Sequence, residues 1–103
     1  SLTRVLPIIR RVMSHELGVM DENKNDRSSS IIALFKPQFE AGRKIADQTK
    51  GIIKDPVIHE ELLQQFREWC ADNNFIIQRE CASPITGDKG NREFFFHLTV
   101  DSK

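Results

Sequence analysis

The stretch from residue 31 to residue 81 constrains the fold most, because it reads as a strand, a helix and a second strand in succession. Ile31–Phe35 is a short unbroken apolar run, which suits a strand buried on both faces of a parallel sheet. Asp55 and Pro56 indicate a helix start, since the Asp side chain can cap free N–H groups and proline suits the first helical position. Phe75–Cys81 predicts the second strand. Such a crossover is right-handed and connects two parallel strands.

The flanking segments complete an α/β pattern. Apolar residues at helical spacing predict an amphipathic helix over residues 3–14, and the polar residues 14–30 predict a flexible loop. Residues 37–54 read as a long connection. Glu93–Val100 predicts a third strand that returns antiparallel after a turn. We therefore expect an α/β fold with parallel strands and a final antiparallel strand.

Composition limits the classes of function. The chain has 103 residues, enough for one small domain, and its 15 Lys and Arg balance 15 Asp and Glu. A net charge of zero disfavours a grip on nucleic acid by the whole surface, although a local basic patch stays possible. There is no membrane-spanning run and no signal peptide, and two cysteines without zinc spacing suggest a reduced, cytoplasmic setting. The start at Ser1 without methionine suggests a processed or excised piece.

Strand directions alone bring two charged residues to one rim of the sheet. Lys36 follows the first strand directly, and Glu93 begins the third strand, which runs the opposite way. A partly desolvated lysine can serve as a general base, and a neighbouring glutamate can fix its position. The competing interpretation is a pair of surface charges that happen to end strands. On the sequence alone, that interpretation is the more common case.

Three motifs carry a resemblance to a known family: KPQFEAGRK at 36–44, KGIIKDPVIHEE at 50–61 and SPITGDKGNREFFFHL at 83–98. In this order and spacing they resemble the TlyA-type haemolysin family of FtsJ-like ribosomal RNA methyltransferases. The resemblance implies the C-terminal part of a Rossmann-like S-adenosylmethionine methyltransferase sheet. It also implies transfer of a methyl group from S-adenosylmethionine to a ribose 2′-hydroxyl of ribosomal RNA.

The family's active site is a lysine–aspartate–lysine–glutamate tetrad, and by motif its second lysine corresponds to Lys36 and its glutamate to Glu93. The resemblance implies that Lys36 helps to deprotonate the ribose hydroxyl while Glu93 orients Lys36 or tunes its charge. The other two tetrad residues and the glycine-rich cofactor loop have no counterpart in this sequence. We therefore expect residues 1–103 to be a single partial domain that neither binds S-adenosylmethionine nor turns over alone. The first strand would lack a neighbour, and its exposed edge could support a homo-oligomer.

Further candidates and an alternative function stay open. Basic residues near the rim could contact RNA phosphates or could simply be solvated; they are Arg43, Lys44, Lys50, Lys54 and Arg92. His15 and His59 share no spacing with other ligand types, so no metal site is predicted. The alternative function is a non-catalytic RNA-binding or protein-interaction module that keeps the methyltransferase scaffold. Literal haemolysis is disfavoured, because no membrane-active segment is visible.

Overall fold

The computed structural model describes residues 1–19 and 30–100. Four helices and three strands follow one another as α1 (Leu2–Val19), β1 (Ser30–Phe35), α2 (Pro37–Glu40), α3 (Arg43–Thr49), α4 (Pro56–Asp72), β2 (Phe75–Ala82) and β3 (Phe94–Val100), with a single 3-10 turn at Asp88–Gly90. The predicted strands and the main helix are confirmed to within one or two residues. Asp55 caps α4 as expected: its Oδ1 accepts from the N–H of Val57 at 2.9 Å.

The three strands form one sheet in the order β1-β3-β2, and β3 pairs antiparallel with both neighbours. The predicted parallel strands are therefore not confirmed as a hydrogen-bonded pair: β1 and β2 run in the same direction, but β3 lies between them and is antiparallel to both. The final strand takes the centre, where two of its side chains, Phe96 and Leu98, are fully buried. Polar residues of β2, such as Gln78 and Arg79, suit an edge instead.

The core lies on one face of this sheet. Helix α4 covers that face with an apolar stripe, and α1 contributes one fully buried leucine. The aromatic side chains meet edge to face, with Phe66 4.9 Å from Phe96 and 5.8 Å between Phe35 and Phe96. The buried apolar set is Leu6, Ala33, Phe35, Ile53, Leu62, Leu63, Phe66, Cys70, Phe75, Phe96 and Leu98.

Two predicted loops need correction. Residues 37–54 contain α2 and α3, because Pro37 is well placed in the first turn of a helix that starts directly after β1. The first helix runs on to Val19, so residues 14–19 of the predicted loop are helical. The rest of that loop, residues 20–29, lies outside the described residues.

An ion pair joins α4 to the edge strand. The Arg67 guanidinium contacts the Glu80 carboxylate twice, from Nε at 2.9 Å and from Nη2 at 2.6 Å, and also contacts Glu60 at 2.7 Å. These carboxylates raise the pKa of Arg67 above its already high ordinary value.

The helices of residues 1–19 and 30–100 include none with the length and apolar character of a membrane-spanning segment.

Candidate active site

Lys36 and Glu93 lie on the same rim, as strand direction predicted. The register of β1 against β3 pairs Phe35 with Phe94, so the next residue of β1 and the preceding residue of β3 face each other beyond the last pair. Lys36 is half-buried and extended (φ −113°, ψ 103°), and its carbonyl accepts from Phe39 and Glu40 at the start of α2. The strand end and the helix start therefore fix the backbone of Lys36 from both sides.

The Lys36 ammonium lies over the ring of Phe39, 5.4 Å from Nζ to the centroid. Phe39 is itself largely exposed. Within the described part of the chain, no ion pair joins Lys36 to Glu93. The ammonium thus contacts the Phe39 ring and forms no ion pair with the carboxylate that shares its rim.

Glu93 is buried, with 7% of its surface exposed. Gln38 of α2 donates from Nε2 to Glu93 Oε2 at 3.2 Å, and Gln38 is itself 8% exposed. On the other side the carboxylate presses against Gly87, where even a β-carbon would overlap it. The absence of a side chain at residue 87 is therefore what makes room for Glu93.

Asn91 holds the loop that carries Glu93. Its side chain accepts from the N–H of Ile53 at 2.9 Å and donates to the carbonyls of Gly51 at 2.8 Å and Asp88 at 3.0 Å. His59 of α4 bonds the carbonyl of Ile53 through Nε2 at 2.8 Å. Asn91 thus ties the segment before α4 to the rim, and His59 ties the same segment to α4. For His59 this is a structural use, and no group of three metal-ligating side chains occurs among the described residues.

The predicted basic residues are only partly brought together. Lys50 precedes Gly51, which bonds Asn91, and Arg92 follows Asn91, so both lie where the two loops join; both are exposed. Arg43 is exposed at the start of α3, and the side chain of Lys44 lies outside the description. Lys89 joins the group, because its Nζ is 3.7 Å from the point where a β-carbon on Gly51 would lie.

Sequence reasoning missed four residues that build this site: Gln38, Gly87, Lys89 and Asn91. Gln38 stands two residues after Lys36, inside the very motif that identified the lysine, and its polarity directly after a strand end was a usable signal. Asn91 and Gly87 were hidden in a stretch where turn formers are expected anyway. Their roles depend on which carbonyls and carboxylates lie opposite, which spacing does not reveal.

Comparison with known proteins now decides the family. The sequence profile of the FtsJ-like methyltransferases matches residues 5–100. The chain belongs to the FtsJ-like methyltransferase family. It is 37% identical over 98 residues to the Bacillus subtilis protein named "Putative rRNA methyltransferase YqxC", covering 95% of this chain and 30% of that protein. It is also 37% identical over 67 residues to the 23S rRNA (cytidine-2'-O)-methyltransferase TlyA of Campylobacter jejuni, covering 65% of this chain and 26% of that enzyme.

A solved structure agrees with this membership. "Putative hemolysin from Streptococcus thermophilus" superposes with a TM-score of 0.66 at 37% identity, covering 73% of this chain and 26% of that one. The chain spans less than a third of the length of the curated relatives described above. The resemblance inferred from the three motifs is thereby confirmed at the level of the family.

Proposed function

We propose that this chain forms part of a ribosomal RNA 2′-O-methyltransferase that uses S-adenosylmethionine. The juxtaposition of Lys36 and the buried Glu93 at one rim carries the proposal. In it, the Lys36 amine takes the proton of a ribose 2′-hydroxyl, and Glu93 holds the lysine side chain toward that hydroxyl. The family name and the TlyA relative support ribosomal RNA as the substrate class.

The described residues do not by themselves fit S-adenosylmethionine. No glycine-rich loop follows a parallel strand here, and the sheet consists of antiparallel pairs. We therefore propose that the cofactor is bound by the region of the relatives that this chain does not match. On this proposal residues 1–103 alone are inactive.

A chimera tests the proposal. In it, this chain replaces the matching segment of the Bacillus subtilis relative, and transfer of a labelled methyl group to ribosomal RNA is measured. We expect the chimera to be active and Lys36→Ala to lower kcat by roughly 100-fold or more, because a positioned base contributes about 10²–10⁴ in rate. Arg79→Ala, at an exposed basic residue of the edge strand β2, is the control and should stay active.

Two results would contradict the proposal. One is an active chimera whose kcat does not change in Lys36→Ala. The other is methyl transfer, or calorimetric cofactor binding, by residues 1–103 alone. A chimera that folds by circular dichroism yet transfers no methyl group would also count against it.

The basic residues at the loop junction favour RNA contact. Lys50 and Arg92 are exposed there beside Lys89, and we propose that these residues, with Arg43 and Lys44, bind RNA phosphates. Replacing Lys50 and Arg92 together with alanine should remove about two phosphate contacts. The slope of log affinity for RNA against log salt concentration should become shallower by the amount that two contacts contribute. Strong RNA affinity in a chimera that never transfers a methyl group would favour the alternative function, a non-catalytic binding module.

A further inference from the structure

One buried acceptor at the rim lacks a donor, and a carboxylate beside it can accept more donors than it receives. The Oε1 atom of Gln38 is buried with no hydrogen-bond partner, while the Nε2 atom of the same amide donates to Glu93. The Glu93 carboxylate has room for several donors and, among the described residues, receives this one. A buried acceptor without a partner destabilises the folded state, so such an atom calls for an explanation.

A donor with unmatched capacity lies at the same rim. The Lys36 ammonium carries three N–H donors and, in the part of the chain that the structure describes, meets only the face of the Phe39 ring. Lys36 stands opposite Glu93 across the last strand pair, and Gln38 follows it by two residues at the start of α2. The donor and the acceptors thus belong to residues at one rim of the sheet.

We infer that Gln38 is a positioning residue for the Lys36–Glu93 pair. Its amide N–H fixes the Glu93 carboxylate, and its carbonyl oxygen forms with that carboxylate a two-acceptor seat for the Lys36 side chain. Lys36 leaves the exposed Phe39 ring for this seat when the rim is covered and water is excluded. The neutral amine then donates its two N–H groups to the seat and keeps its lone pair for the ribose hydroxyl, and the ammonium formed by proton transfer is stabilised there because hydrogen bonds to a charged group are strong. This inference rests on the proposed function for its catalytic consequence, whereas the contact between Gln38 and Glu93 stands without it.

Kinetics of the chimera test the role. Gln38→Met keeps the length and volume of the side chain and removes both polar atoms. We expect kcat to fall at least tenfold while KM for RNA and for S-adenosylmethionine stays within twofold. Gln65→Met, the same change at an exposed glutamine of α4, should leave both unchanged.

A double variant separates positioning from mere folding. If Gln38 acts through Lys36, Lys36→Ala with Gln38→Met should be no slower than Lys36→Ala alone, because the two residues act as a unit. Losses that multiply, a rise in KM alone, or an unchanged kcat in Gln38→Met would each overturn the inference.

The contact itself has a readout independent of activity. In residues 1–103, the side-chain amide signals of Gln38 should shift in Glu93→Gln, which removes the charge and keeps the shape, while those of Gln65 stay in place. Unmoved Gln38 signals would overturn the inference even in an active chimera. A chimera that is inactive without any substitution would overturn the proposed function and, with it, the catalytic use of Gln38, while shifted signals would still establish the contact.

Discussion

Asn91 is the residue on which the geometry of the rim depends most. It is 2% exposed, and its side chain satisfies one N–H and two carbonyls from two separate segments. Most turn residues are chosen for their own backbone conformation, but Asn91 has extended dihedrals (φ −65°, ψ 139°) and acts through its amide. Its side-chain hydrogen bonds hold two loops together, as backbone hydrogen bonds hold two strands together.

Asn91→Ala should therefore destabilise the protein by about 3 kcal/mol, because it leaves the buried N–H of Ile53 without an acceptor. Urea denaturation followed by circular dichroism measures this. Gln78→Ala, which removes a surface hydrogen bond to Thr99, should cost less than about 0.5 kcal/mol. Equal losses in the two variants would show that the Asn91 contacts do not hold the loops.

The buried thiol of Cys70 makes the free energy of unfolding fall as the pH rises into the alkaline range. Burial raises the pKa of its thiol to about 12, so the folded state keeps the proton at pH values where the unfolded chain releases it. The contribution to stability is complete below the ordinary thiol pKa and is lost as the pH rises toward 12. We expect the urea midpoint to fall more steeply above about pH 9 in the wild type than in Cys70→Ala.

Lysines titrate in the same alkaline pH range, but both proteins carry them. Their effect on the urea midpoint therefore cancels when the wild type is compared with Cys70→Ala. Parallel midpoint curves from pH 7 to pH 11 would contradict the prediction. Cys81 is exposed and serves as an internal control, because a thiol reagent at pH 8 should modify it and spare Cys70.

At the scale of elements, periodicity and capping predicted what the chain makes locally. Asp55 and Pro56 start α4 where expected, and the apolar runs became strands with nearly the expected bounds. Lys36 and Glu93 also met as predicted, because that inference needed only the relative direction of two strands. The order of the strands in the sheet could not be predicted, because spacing does not tell whether β3 pairs outside β2 or between β1 and β2. The central position buries Phe96 and Leu98 of β3 completely.

Arg67 is the polar tie between α4 and the sheet. Arg67→Lys keeps the charge but loses the two-pronged contact with Glu80, so we expect a loss of about 1 kcal/mol in thermal or urea unfolding. Glu60→Gln removes the charge of the more exposed partner and should lower the free energy of unfolding by about a few tenths of a kcal/mol. If Glu60→Gln proves as costly as Arg67→Lys, the bridge to the sheet is not the stabilising contact.

At the scale of the whole molecule, the sheet has one covered face and one on which no described helix is seen to pack. Ile32 is 67% exposed there, on the edge strand β1, and alternation places Leu34 on the same side. We predict that residues 1–103 self-associate through this edge, as expected for a strand whose second neighbour is missing.

Ile32→Lys should make sedimentation independent of concentration, because a charge on an edge strand opposes pairing between chains. Ile85→Lys makes the same change at a residue that is 74% exposed in the loop before β3, and it should leave association as it was. A wild type that stays monomeric at high concentration would remove the basis for an oligomer.

The central place of β3 has a consequence for how this chain is made. On the ribosome β1 emerges first, and the strand that must pair with it begins about 60 residues later. At synthesis rates of about 5–20 residues per second, Ile31–Phe35 waits roughly 3 to 12 seconds for β3. β2 also pairs only with β3, but β3 begins about 12 residues after β2 ends, so its wait is about five times shorter. The apolar segment most in need of protection by chaperones is thus the one that ends at Lys36, and the rim cannot assemble until translation has passed Glu93.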